Sequence, residues 1–345
     1  VYTDLMPAPE TGDRLLLNVA ALDRGLGTGG YALVIAVLSP AGRLKAQPPA
    51  PLGHLVKARY LPMQVMVAGA DEQGSPSHDV LAGADSIDGL PVLVADLHSA
   101  LAPIVAAIHA DRPASRVVYL MSDHGALPIA FSRTVAALRE AGTLAATVTV
   151  GQAFGGNLEA VNVHSGLLAA KLALDADLVV LTQGPGNLGT GTRWGFSGVA
   201  CGEAINATAA LGGRPVGSLR ISGVDARPRH RGISHHSLTA YGRVALCPAD
   251  IAVPDFARAG RLRGILGRDA VAAMAADVTQ AADGLSRHRR VLVDLAGLDS
   301  ALLASPVPLS SMGRGLDHDP AYFLAAAAGG RLAASMLAPP TGPPG

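Results

Sequence analysis

Between residues 90 and 221 the apolar positions fall in short runs at 92–95, 117–120, 146–150, 178–181 and 216–221, separated by polar stretches containing glycine. Short, β-rich runs without clean alternation are what strands buried on both faces of a parallel sheet look like. The segments between them carry helical spacing. Leu101, Ile104, Val105 and Ile108 fall at i, i+3, i+4 and i+7, Phe131, Val135 and Leu138 at i, i+4 and i+7, and Leu168 and Leu172 at i and i+4. A small-residue helix is predicted over 197–211. The alternation predicts an α/β fold, a mostly parallel, doubly wound sheet with helices on both faces. A helix around Val271, Met274 and Val278, a strand over 290–295 and a last helix over 322–337 continue it more loosely. No unit repeats at a fixed period.

The first forty residues read differently. Gly12 and Asp13 signal a turn into the run 14–19, and the glycines of 25–30 separate that run from 31–38. This predicts a small N-terminal antiparallel β module whose first strands are missing. Pro48, Pro49 and Pro51 then discourage regular structure. The predicted organisation is a partial β module at 1–40, linker and connecting strands at 41–89, an α/β body at 90–338 and a disordered tail at 339–345.

Composition narrows the function classes. The 345 residues hold 27 Lys plus Arg against 27 Asp plus Glu, so the chain is not uniformly basic. Five Phe and six Tyr leave few stacking platforms, and nucleic acid is an unlikely partner. Cys201 and Cys247 are the only cysteines, too few for a disulfide framework or a four-thiolate zinc site. Charged residues make up 16%, below the ~25% usual for soluble domains. A surface covered by a second copy of the chain would account for that, and a homo-oligomer is expected. The apolar stretch 322–338 is broken by Gly329, Gly330 and Arg331, whereas a membrane span needs about 20 apolar residues. With no signal-peptide pattern either, a cytoplasmic protein trimmed at its N-terminus is expected.

In a parallel sheet, ligands bind beyond the carboxyl ends of the strands, so the polar residues after each run are the candidates for chemistry. The strongest feature is the stretch 182–198, with Gln183, Gly184, Gly186, Asn187, Gly189, Thr190, Gly191, Thr192 and Arg193 between a predicted strand and a predicted helix. Glycines there let backbone N–H groups approach an anion beside a helix N-terminus. It is neither a Walker loop nor a dinucleotide fingerprint. The competing reading is a long loop using glycine for tight turns. Between residues 214 and 243, six arginines (214, 220, 227, 229, 231 and 243) face one acid, Asp225, and His230, His235 and His236 lie in the same segment. Arginine forks suit phosphate or carboxylate, although salt bridges or a solvated loop would use the same residues. Asp96, His98, Asp123 and His124 would converge if their strands were adjacent, for acid–base work or a divalent metal. Asp96 or Asp123 could instead cap the following helix.

Five stretches carry a family likeness: 53–64 (GHLVKARYLPMQ), 71–79 (DEQGSPSHD), 151–156 (GQAFGG), 182–198 and 310–314 (SSMGR). They resemble the motifs of the uncharacterised bacterial domain-of-unknown-function family 3866, over essentially the whole chain. The resemblance implies a cytosolic bacterial protein with an N-terminal β module and an α/β body, and carries over no activity or catalytic residues. His124 is atypical against that pattern, where a small residue is expected, which weighs against a metal site using it. Lys57 and Arg59 on one face of a predicted strand, with His78 and Asp79 after a Gly-Ser-Pro turn, could close over the site, but a solvated strand edge protected by charge is the favoured reading.

The functional expectation is an enzyme acting on an anionic small molecule, phosphorylated or nucleotide-like. Backbone N–H groups of 184–191 would cradle the anion and Arg193, Arg220 and Arg231 would neutralise it. Asp96, Asp123, His235 and His236 are the candidate catalytic residues, with Mg²⁺ as the cofactor the pattern would admit and no dedicated metal ligands assigned. The alternative is a homo-oligomeric binding or scaffold protein, with the alanine-rich helix ending at Leu337 packed against a symmetry mate.

Overall fold

A computed structural model describes residues 3, 5–25, 31–45, 53–61 and 63–338. The predicted tail at 339–345 and most of the proline-rich linker lie outside the described residues. The N-terminal module is a hairpin of β1 (Arg14–Asn18) and β2 (Leu33–Leu38), antiparallel as expected, with a register shift between Leu16 and Leu17. A second short hairpin, β3 (Leu55–Lys57) and β4 (Val65–Val67), follows, then one helical turn, α1 (His78–Leu81).

The body is an eight-stranded, wholly parallel sheet. Its strands are β5 (Pro91–Ala95), β6 (Val117–Ser122), β7 (Ala146–Thr149), β8 (Leu158–Glu159), β9 (Leu178–Gln183), β10 (Arg214–Ser218), β13 (Asp250–Pro254) and β14 (Arg289–Val293). A two-residue ribbon, β11 (Ile221–Ser222) with β12 (Gly232–Ile233), projects between β10 and β13. The order across the sheet is β14-β13-β10-β5-β9-β6-β7-β8. The main apolar runs form strands where the sequence places them; the pattern did not show β8, which is only two residues long, or the strand at Asp250–Pro254, which an aspartate opens and a proline closes.

Helices α2 (Leu101–Asp111) and α3 (Arg133–Glu140) lie in connections that run along the sheet toward β7. Helices α4 (Val163–Leu172) and α5 (Cys201–Ala210) lie in connections that run the other way. Right-handed crossovers in opposite directions put their helices on opposite faces, which makes the sheet doubly wound. Next come α6 (His235–Thr239), α7 (Gly260–Leu266), α8 (Arg268–Ala282), α9 (Leu298–Leu303) and α10 (Pro320–Ser335).

Helix α10 closes one face by packing on α2 and on β5, β10 and β13. Its interruption by two glycines has a steric cause. A Cβ at Gly330 would come within 2.4 Å of the Ile104 carbonyl oxygen, and one at Gly329 within 3.1 Å of Ser218. Arg331 then makes a two-pronged contact with Asp111, at 2.9 and 3.1 Å. The helix expected to pack against a symmetry mate is therefore buried within its own chain, from Pro320 to Gly330 without a break.

The β3–β4 hairpin is held to the body by a buried charge. Lys57 is 2% exposed and donates from Nζ to the Thr149 carbonyl (3.0 Å), the Ala153 carbonyl (2.8 Å) and Glu159 Oε2 (2.8 Å). The expectation of a solvated edge is corrected on this point, since the strand bearing Lys57 faces the body and not solvent.

Candidate functional site

The strand order reverses at β5: the chain first moves from β5 to β6 on one side, and later passes from β9 to β10 on the other. The loops leaving β5, β9 and β10 must therefore diverge, which opens a crevice at their carboxyl ends. Three side chains sent into that rim are buried: Asp96 (2% exposed) after β5, Gln183 (3%) at the end of β9, and Arg220 (7%) after β10. Gln183 Nε2 donates to the Asp96 carbonyl oxygen at 2.7 Å, and its Oε1 accepts from Ser197 Oγ at 2.6 Å. Ser237 Oγ accepts from the Arg220 backbone N–H at 3.1 Å and donates to Asp96 Oδ2 at 3.2 Å. Ser237 thus fixes Asp96 relative to Arg220, a role that nothing in the sequence signals.

Asp96 and Arg220 differ in how they are satisfied. Burial pushes the Asp96 carboxyl up from its ordinary value, with the Arg220 guanidinium and the Ser237 hydroxyl opposing that rise. The Arg220 guanidinium makes no ion pair and no hydrogen bond with any described residue. The charge it faces is the Asp96 carboxylate, and a guanidinium held in a largely buried residue without a direct hydrogen bond has capacity left for a further acceptor. The other arginines of the same segment are largely engaged in structure. Arg214 donates to the Gly89 and Met336 carbonyls, and Arg227 grips Asp225 through Nε and Nη2, both at 2.9 Å. Arg231 donates to the Asp225 carbonyl at 3.2 Å and is otherwise exposed. Arg314 adds a contact to Asp225 at 3.1 Å. The Asp225 carboxyl is held far below the usual carboxylate range, first by its bonds to Arg227.

Beside Arg220 stand three imidazoles. The β11–β12 ribbon pairs Ile221 with Ile233 and Ser222 with Gly232, which puts Ser234 and the start of α6 opposite Arg220, the Ser234 N–H donating to the Arg220 carbonyl at 2.8 Å. Potential ligand atoms of His230, His235 and His236 all lie within 4.8 Å of one another. Ser234, the N-cap of α6, accepts from the His236 backbone N–H and meets His230 Nδ1 at 2.9 Å. Phe196 stacks on the His236 ring with centroids 4.2 Å apart. His230 is lowered to about 3 and His236 to about 4, in both cases first by burial; Arg220 adds to both, as does His235 to His236. His235 is lowered by burial and then by Arg229, Arg220 and Arg193. All three rings are neutral at physiological pH. His235 Nε2 and His236 Nδ1 are buried with no hydrogen-bond partner.

The glycine-rich stretch forms an exposed flap over the rim. Gly186 (φ +81°) and Gly191 (φ +80°) hold left-handed conformations that favour glycine. The flap bonds to itself: Leu188 N–H donates to Ser197 Oγ, Thr190 N–H to the Gly195 carbonyl, Gly195 N–H to Thr192 Oγ1 and Ser197 N–H to the Leu188 carbonyl. Within 184–191 two of the amides expected to cradle an anion are thus already engaged. Gly189 bridges Phe196, while Gly186, Asn187, Thr190, Gly191, Thr192 and Arg193 face solvent. At its base the flap passes the loop after β6 at contact distance: a Cβ at Gly125 would lie 2.3 Å from the Gly184 carbonyl oxygen.

Asp96 and Asp123 do not come from neighbouring strands, because β9 lies between β5 and β6. Asp123 Oδ2 accepts from the Gln152 N–H at 2.9 Å, tying two loops together, and His124 sits beside it at 3.5 Å. His98 is turned into the protein, bonded to the Tyr119 hydroxyl (3.0 Å) and Ser132 Oγ (2.7 Å). Neither aspartate caps a helix. Cys201 is buried and burial pushes its thiol up, so it is a core residue and not a nucleophile.

Two further hollows lie outside the imidazole cluster. The smaller, about 190 Å³, is lined by Ser122, His124, His164, Gln183, Ser197 and Glu203 among others. The larger, about 500 Å³, lies between the N-terminal segments and the body and is lined mainly by apolar side chains, including Leu5, Met6, Met63, Phe131 and Phe154.

The chain belongs to a family described as proteins of unknown function (DUF3866), whose model matches residues 1–330. No curated protein and no solved structure matches it. Among the described residues no helix is long and apolar enough to cross a membrane.

Proposed function

We propose that this member of the family is an enzyme that binds a small anionic molecule, of the phosphorylated or nucleotide-like class, in the crevice beyond β5, β9 and β10. The observation that carries the reading is Arg220, 7% exposed and with no ion pair or hydrogen bond from its guanidinium to any described residue. An anion entering the crevice supplies the missing partner, and a planar fork recovers the most from a phosphate or carboxylate. The exposed flap carries Arg193 to the mouth, and Arg229 reaches Gly191, with Nη2 3.2 Å from where a Cβ there would stand. Both charges lie where they would steer and cover a bound anion. Asp96, whose carboxyl is raised by burial and oriented by Ser237, is the proton-transfer group of the proposed site. The neutral imidazoles beside Arg220 add hydrogen-bonding capacity without repelling negative charge.

Thermal-shift and calorimetric titrations with orthophosphate, nucleotides and sugar phosphates test the proposal, on the full chain and on Arg220→Gln and Gly186→Val. A ligand present at 100 times its Kd stabilises the folded state by about 2.7 kcal/mol. Arg220→Gln is expected to abolish that response, and Gly186→Val to weaken it by straining the flap. If no anion stabilises the wild type, or if Arg220→Gln responds as the wild type does, the proposal fails.

A further inference from the structure

We infer that His230, His235 and His236 form a binding site for one divalent transition-metal ion of the zinc class. The geometry comes first. Three imidazoles present donor atoms within 4.8 Å of one another, whereas two nitrogens bound to one tetrahedral ion at ~2.1 Å stand about 3.4 Å apart. Small side-chain rotations close that difference. His235 and His236 are neighbours on α6, with ring centroids 4.0 Å apart, and His230 comes from the other side of the ribbon at 5.0 and 5.2 Å.

The second line of support is satisfaction. His236 is 4% exposed, and its Nδ1 has no hydrogen-bond partner; neither has the buried Nε2 of His235. Leaving a buried acceptor or donor unmade costs ~1–3 kcal/mol, and two such atoms on adjacent rings call for a common cause. His230 Nδ1 meets Ser234 Oγ at 2.9 Å, which fixes the ring and leaves Nε2 for another ligand. This is the outer-sphere arrangement that orients a metal-bound histidine. Phe196, stacked on His236, holds the third ring from the opposite side.

The charges nearby say what else the ion requires. Arg193, Arg220 and Arg229 all act on His235, so a bare dication here is repelled. Three imidazoles leave one position open on a tetrahedral ion, the pattern of catalytic rather than structural zinc. An anion in that position would neutralise both the ion and Arg220. The metal site stands on the imidazoles alone; only this coupling rests on the proposed function.

Chelator-stripped, tag-free full-length chain titrated with Co²⁺ tests the inference, read by visible absorption and calorimetry. The expected result is one Co²⁺ per chain with the intense ligand-field bands of four- or five-coordination. His235→Ala and His236→Gln are each expected to weaken binding at least ~100-fold, whereas His54→Ala, an exposed ring remote in sequence, should not. The ring of His235 is half-buried and its Nε2 has no bond to lose, so His235→Ala decides the matter if His236→Gln fails to fold. Absence of bands in the wild type overturns the inference, and so does an unchanged spectrum in His235→Ala. Arg220→Gln separates the two proposals: cobalt bands retained with phosphate response lost supports both. Bands that no anion perturbs, in a wild type that no anion stabilises, uphold the metal site and sink the anion reading. An anion response in a chain that takes no cobalt does the reverse.

Discussion

The two largest contrasts in this molecule are the polar crevice beyond β5, β9 and β10 and the apolar hollow of about 500 Å³ beneath the N-terminal hairpins. The hollow offers room, yet its Arg133 and Tyr31 are engaged with each other. Arg133 donates to the Tyr31 hydroxyl at 3.1 Å and lies over that ring at 5.5 Å. In the crevice, His235 Nε2 and His236 Nδ1 are buried without partners, and the largely buried Arg220 makes no side-chain hydrogen bond to any described residue. Volume records where chain segments fail to meet; unspent polar groups record where something else is meant to bind. The crevice is therefore the proposed place of recognition, and the hollow is where the N-terminal segments rest on the body.

The sharpest way to break that contrast is to remove the tether of the β3–β4 hairpin. Lys57→Met leaves Glu159 buried beside Thr149, and breaking a buried pair costs on the order of 3–5 kcal/mol. Chemical denaturation should show a loss of that size. Phe154→Ala, at a position 4% exposed on the wall of the hollow, should cost about 3–5 kcal/mol by the same measurement and leave any phosphate response intact. A lost phosphate response in Phe154→Ala would show that the two regions are coupled.

The crevice should behave in the opposite sense. Arg220→Met removes a largely buried charge that makes no direct ion pair with any described residue, and Asp96, raised by burial, can take up a proton in its place, so in the absence of ligand the melting temperature should hold or rise, by a few degrees per kcal/mol gained. A fall of several degrees would mean that the guanidinium is satisfied within the chain.

A smaller effect concerns pH. His98 is lowered from 6.5 to about 4, first by burial. In that interval the unfolded chain binds the proton and the folded chain does not. The stability contributed by the neutral ring is thus present above pH 6.5 and is lost as pH falls through 4. His98→Asn should flatten the decline of melting temperature over this range. An identical slope in the variant would contradict the assignment.

Much of the fold was legible because buried parallel strands write themselves as unbroken apolar runs. The runs at 92–95, 117–120 and 178–181 became β5, β6 and β9. Their order across the sheet was not legible: insertion of β9 between β5 and β6 depends on tertiary packing, and it separates Asp96 from Asp123. The arginines of 214–243 were visible as a charge cluster. What distinguishes Arg220 from Arg214 and Arg227 lies elsewhere in the chain, in the Gly89 and Met336 carbonyls and in how Asp225 is turned. Likewise His235 and His236 could be singled out by type, but their meeting with His230 required the pairing of β11 with β12. Lys57 misled because alternation along three residues does not tell which side of a strand faces the body.

One measurement bears most directly on the crevice as an anion site: the anomalous difference map of crystals soaked in selenate, an anion that can be located by its scattering. The expected peak lies within hydrogen-bonding distance of the Arg220 guanidinium, beside His230, His235 and His236. A peak confined to the exposed flap at 186–193, or occupancy elsewhere with the Arg220 fork empty, would contradict the account.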